Sequence, residues 1–151
     1  TKTGEGYAMA GNNSYAHQLD AKNRMRIPAK YRAELGDGYT VTIGTGGCLA
    51  VYSAEQWEKM KKMLSEVNPY REKQVQTARF ILYYSWEAAE DNQGRILLPQ
   101  NLRDYAKINK NVVVMKGPSN IEIWSEEVLN DYFKGVSFES LADAFDGLKT
   151  E

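Results

Sequence analysis

Two stretches of this chain repeat each other. Residues 19–28 read LDAKNRMRIP and residues 90–99 read EDNQGRILLP, so that Asp20 matches Asp91, Arg24 matches Arg95, Ile27 matches Leu98, Pro28 matches Pro99 and, just beyond, Arg32 matches Arg103, every pair 71 residues apart. Downstream, VTI at 41–43 matches VVV at 112–114, and LAVYS at 49–53 matches IEIWS at 121–125, there at an offset of 72. Two copies are too few for a solenoid, which needs at least about three. The expectation is a pseudo-twofold module whose halves share one core.

Each copy reads as strand, tight turn, strand, short helix, strand, loop, strand. HQLD leads into a turn and RMRIP leaves it with the alternation of a strand. Asp20 and Arg24 flank the three-residue loop AKN; Asp91 and Arg95 flank NQG. Loops of this length put their last residue in the left-handed region, and Asn23 and Gly94 are residue types that tolerate it. Asp20 and Asp91 can bond the turn backbone through their carboxylates, so these four residues are the turn-shaping set. Pro28 and Pro99 open the helices AKYRAEL and QNLRDYA at the position where proline is tolerated.

A helical insert separates the copies. Ser53 and Gln56 form a capping box, and Trp57, Met60 and Leu64 follow at helical spacing. Asn68 and Pro69 are expected to cap and start a second helix with Val75, Ala78 and Leu82 on its apolar face. The lysines 59, 61 and 62 read as a solvated face, and FILYYSW at 80–86 serves either the core or a subunit contact. A helix SEEVLNDYF follows the second copy, and SFESLADAFDGLKTE is an amphipathic acidic tail. The expected divisions are a flexible leader at 1–14 (in part a remnant ahead of Met9), a first repeat at 15–53, the insert at 54–85, a second repeat at 86–125, and a helix with acidic tail at 126–151.

Charge separates function classes by its distribution. The net charge of −1 argues against a general polyanion binder. Yet His17 to Leu35 holds five basic and two acidic residues, while Ser125 to Glu151 holds seven acidic and two basic. A basic first repeat therefore coexists with an acidic tail. The single Cys48 excludes an intrachain disulfide and a multi-cysteine zinc site, and fits a reducing compartment. His17, the only histidine, has no neighbouring ligand for a metal. No apolar run is long enough for a membrane helix.

The duplicated turn is the candidate for chemistry. Two copies present Lys22, Arg24, Gln93 and Arg95 on adjacent loop tips, with Arg26 beside the first; these are donors suited to phosphates and base edges. The plainer reading is that each arginine only pins its own turn. Duplication favours binding, and both hold together if the aspartate orients a guanidinium whose remaining donors stay available. A catalytic pair of Asp20 and Asp91 is disfavoured, because each has an arginine four residues away that keeps it ionised. TIGTGGC lacks the lysine ending and following helix of a phosphate loop and reads as a hairpin turn. Cys48, in an apolar run, reads as buried rather than reactive.

These motifs resemble the MraZ family. HQLDAKNRMRIPAKYR, CLAVYSAEQWE, DNQGRILLPQNLRDYA and IEIWS carry the resemblance, which runs from Tyr15 to about Phe133. It implies an α+β fold: a swapped-hairpin β-barrel of SpoVT-AbrB type, made within one chain by two tandem repeats, with helices between and after them. It further implies a non-enzymatic, cytoplasmic, nucleoid-associated regulator of the bacterial division and cell wall gene cluster. Such a regulator binds tandem repeats on double-stranded DNA as a ring-shaped homo-oligomer, without cofactor, metal, membrane or small-molecule substrate. The motif arginines, Arg24 and Arg95, carry over as DNA contacts, with Lys22 beside the first. Asn23 stands where the family usually has glycine, and Gln93 and Leu97 replace the basic Lys22 and Arg26 of the first copy. An interaction scaffold or an antitoxin-like module is the competing class.

Overall fold

The two repeats exchange strands. The structure is a computed structural model that describes residues 8–150. The first repeat supplies β1 (Ala8–Gly11), β2 (Ser14–Gln18), β3 (Arg24–Arg26), α1 (Ala29–Leu35), β4 (Thr40–Ile43) and β5 (Leu49–Tyr52), and is followed by α2 (Ala54–Ser65) and α3 (Glu72–Tyr84). The second supplies β6 (Trp86–Glu87), β7 (Arg95–Leu97), α4 (Gln100–Ala106), β8 (Asn111–Lys116) and β9 (Ile121–Ser125), followed by α5 (Glu126–Lys134) and α6 (Phe138–Thr150). Seven strands form one antiparallel sheet in the order β1-β2-β8-β9-β5-β4-β6. About the β9–β5 junction β2 mirrors β6 and β8 mirrors β4, so each repeat's opening strand pairs with the other repeat. β3 and β7 form a separate two-stranded ribbon, with Met25 opposite Ile96.

This arrangement confirms the α+β class and the tandem repeats and corrects the barrel. Past the Asp20–Arg24 turn the hairpin arms part: β2 joins the large sheet and β3 the ribbon. Among the described residues no strand pairing closes the sheet, whose edges are β1 and the two-residue β6. Hydrophobic packing links the two layers instead. Met25 and Ile96 of the ribbon, Ile27, Leu98, Tyr31 and Leu102 after it, and Val41, Val51, Val112 and Ile123 of the sheet are buried in one cluster. Each such aliphatic side chain contributes roughly 1.5–3 kcal/mol. Strand alternation turns Cys48, Val113 and Trp124 to the opposite face, where Leu129 of α5 packs on them.

The halves differ by two residues. Leu19 N–H donates to Lys110 O (2.8 Å), and Ala88 N–H donates to Tyr39 O (3.0 Å). Lys110 and Tyr39 are 71 apart, so Ala88 occupies the place of Leu19, although the sequence match sets Glu90 there. Ala89 and Glu90 are thus extra in the second copy.

Several expectations change. Part of the expected leader is β1, paired with β2 and anchored where Tyr31 Oη donates to the Asn13 carbonyl; residues 1–7 lie outside the described residues. Asn68 does not cap α3. Its carboxamide accepts from Tyr70 N–H (2.9 Å) in a local turn, and the helix begins at Glu72. The Ser53–Gln56 capping box forms with both arms. Trp57 packs on Tyr52 and Leu64 is buried, but Leu82 is exposed. The acidic tail is the helix α6, capped by reciprocal bonds between Ser137 and Ser140.

Candidate nucleic-acid interface

The two turns are near copies in atomic detail. Asp20 Oδ1 accepts from Lys22 N–H and Arg24 N–H, both at 2.9 Å, and its Oδ2 accepts from Arg24 Nε at 2.9 Å. Asp91 Oδ1 accepts from Gln93 N–H (2.8 Å) and Arg95 N–H (2.9 Å), and its Oδ2 from Arg95 Nε (2.9 Å). Asn23 and Gly94 both have positive φ, 60° and 75°, as loops of this length require. One carboxylate therefore closes each loop and also orients its arginine.

β3–β7 pairing sets the turns side by side and links them. Arg24 Nη1 lies 3.8 Å from Asp91 Oδ2, and Arg95 Nη1 lies 3.7 Å from Asp20 Oδ2. Each arginine thus bridges its own aspartate and its counterpart's. The four charges cancel, but each guanidinium has five donors and stays partly open to solvent, with 28 % and 26 % of the two side chains exposed. Both carboxyls lie below the ordinary carboxylate range. For Asp20, desolvation works upward and is outweighed by the backbone N–H groups of Arg24 and Lys22 and by the Arg24 side chain. For Asp91, the Arg95 backbone N–H leads, against a smaller desolvation, with Gln93 and the Arg95 side chain adding to it. Two carboxylates held ionised in this way cannot share a proton, so an acid–base pair is not built here.

The expected site residues gather on one edge in unequal states. Lys22 and Gln93 are exposed at the two tips. Arg26 Nε donates to Gln93 O (2.7 Å), which ties the first repeat's basic side chain to the second repeat's turn. Its counterpart, Leu97, is exposed hydrophobic surface. The edge is therefore basic on the first-repeat side and nearly neutral on the other.

Three supporting residues escaped the sequence reading. Glu90 accepts from Arg32 Nε and Nη2, both at 3.1 Å, and from Tyr39 Oη at 2.8 Å. That clamp seats Arg32 against the second turn. Arg103, its match in the repeat, instead donates to Leu98 O (2.9 Å). The available signal in the sequence was Glu90 itself, a charged residue aligned with the apolar Leu19. Cys48 is buried, its Sγ donating to Thr45 O (3.3 Å); burial, with the Glu122 carboxylate, pushes its thiol up to about 12. His17 lies on β2. Among the described residues no group of three or more His, Cys, Asp or Glu could hold a metal, and no helix is long and apolar enough to cross a membrane.

Comparison with known proteins fits this geometry. A family model described as "MraZ protein, putative antitoxin-like" matches residues 11–80 and again 86–150. A protein of Thermoanaerobacter pseudethanolicus is 44 % identical over 137 residues, covering 89 % of this chain and 95 % of the relative. One of Halothermothrix orenii is 39 % identical over 137 residues, with the same coverage of 89 % and 95 %. One of Clostridium acetobutylicum is 41 % identical over 118 residues, covering 78 % and 83 %. Each is named "Transcriptional regulator MraZ", a regulator and not an enzyme. The chain belongs to the MraZ family.

Proposed function

We propose that the edge formed by the two Asp-x-x-x-Arg turns binds double-stranded DNA, and that the protein is a sequence-specific transcriptional regulator of the bacterial division and cell wall gene cluster. It works at the nucleoid, without a cofactor, as a ring-shaped homo-oligomer on tandem promoter repeats. The relatives' names support the regulatory part. The observation that carries the DNA part is the paired presentation of Arg24 and Arg95, each fixed through Nε by an aspartate that leaves outward donors for base edges and phosphates. Lys22, Arg24, Arg26, Gln93 and Arg95 form the contact set.

With the charges of its two arginines balanced by two aspartates, one subunit makes few phosphate contacts and binds a single site weakly. Linked subunits on tandem repeats convert later contacts into intramolecular ones and raise avidity by about 10²–10⁴. The deciding experiment titrates wild type and Arg24→Ala against DNA with one, two or three copies of an upstream repeat, at two salt concentrations. Affinity that climbs with copy number and collapses in the variant supports the assignment. Affinity indifferent to both returns the turns to a structural role and favours a protein-interaction scaffold or an antitoxin-like module.

A further inference from the structure

The helices that follow the two repeats match in order but not in packing. α2 and α5 each begin at a serine cap directly after a repeat's last strand, Ser53 and Ser125. α3 and α6 come next, 13 residues each. α3 lies on the sheet: Ala78 is buried, and Ile81 O accepts from Thr42 Oγ1 (2.7 Å). α6 is exposed along residues 138–149. Phe138, Leu141, Phe145 and Leu148 nevertheless recur along one face, at exposures of 86 %, 46 %, 55 % and 69 %. An isolated helix of this length is marginal in water, and burial of its apolar face is what ordinarily holds it.

A complementary groove exists elsewhere on the molecule. Between α2, α3 and the outer face of the sheet lies an open cavity of about 960 Å³, whose apolar wall includes Met60, Met63, Phe80, Ile81 and Tyr105. Met63 is 59 % and Phe80 44 % exposed. Residues 54–84 carry six basic and four acidic side chains, whereas residues 138–150 carry three acidic and one basic. The helices that wall the groove and the helix α6 are therefore opposite in net charge and both present apolar side chains; within the lining itself Lys59 stands with one carboxylate, Glu122.

We propose that α6 of one copy docks in the α2–α3 groove of a second copy. The contact is heterologous, arm into groove, and leaves every subunit with one further arm and one further groove. Such contacts propagate until the rotation closes a ring. This deepens the self-association in the reading above and makes no use of the DNA edge.

The test mixes two variants of the full chain. The arm variant carries Phe145→Asp and Leu148→Asp; the groove variant carries Lys59→Glu and Met63→Glu. All four positions are exposed, and circular dichroism verifies folding. Should a double variant lose helicity, Leu148→Ser and Met63→Ser replace them. Molar mass is read by light scattering and sedimentation. The expected result is a wild-type oligomer larger than a dimer, monomers for each variant alone, and a heterodimer from the equimolar mixture, where one intact arm meets one intact groove. Variants that keep the wild-type mass overturn the docking and leave self-association to another surface. Monomers that do not pair on mixing also overturn it, because the two faces then do not meet. A monomeric wild type overturns the docking and the ring together, with the DNA reading untouched.

Discussion

Arg32 of α1 rests its guanidinium on Gly94, in the turn of the other repeat: a Cβ built at Gly94 would stand 3.4 Å from Arg32 Nη2. Glu90 holds the arginine there. The first copy carries Asn23 at the matching position with φ 60°, and its matching arginine, Arg103, bonds Leu98 O instead. The two loops thus differ in their arginine neighbour: Arg32 packs on Gly94, whereas Arg103 is drawn to the Leu98 carbonyl.

Gly94→Ala is expected to destabilise the protein by about 1–2 kcal/mol, through the left-handed backbone at φ 75°. Asn23→Gly should stay within about 0.5 kcal/mol. Urea unfolding midpoints of the two variants check this; equal effects would show that a side chain at the left-handed position 94 carries no cost.

Arg24→Ala is expected to cost more DNA affinity than Arg95→Ala. Each loses an arginine contact worth about 1–3 kcal/mol, and each takes one cation from the other turn's aspartate, but Lys22 and Arg26 flank only the first. The measurement is binding of both variants to the same tandem-repeat DNA. A greater loss for Arg95→Ala would place the main reading head in the second repeat.

Acid should weaken the turns. Asp20 and Asp91 both titrate below their ordinary value of 3.8 in the folded chain. Their stabilisation is therefore complete above the unfolded value, roughly 3.9, and is lost as pH falls through the lower folded values. Between pH 5 and pH 2.5 the urea midpoint of wild type should fall more steeply than that of the Asp20→Asn, Asp91→Asn double variant. Parallel slopes would show that other carboxylates set the acid limit.

Cys48 should be inert in the folded protein. Its thiol, buried and pushed up to about 12, is almost wholly protonated at pH 8, and the thiolate is the nucleophile. A disulfide reagent at pH 8 should react with one thiol per chain only after denaturant is added. Rapid labelling of the native protein would mean that the face under α5 opens readily.

The turn chemistry, the short helices and the duplicated plan were legible in the sequence because each rests on local rules. Proline starts α1 and α4, a left-handed residue ends each loop, and an aspartate four residues before an arginine closes it. Asn68 shows the limit of such rules: a cap residue followed by proline reads as a helix start, yet its side chain closes a local turn with Tyr70 and the helix begins at Glu72. Tertiary structure decided what depends on residues far apart in the chain. It sent β2 and β3 into different layers, so the expected barrel is an open sheet with a ribbon beside it. It crossed the ion pairs between Arg24 and Asp91 and between Arg95 and Asp20. It set Ala88 in the place of Leu19, which freed Glu90 to clamp Arg32. Local sequence sets backbone conformation through sterics and short-range hydrogen bonds. Which distant side chains meet depends on how the shared core closes, a collective property that no single motif carries.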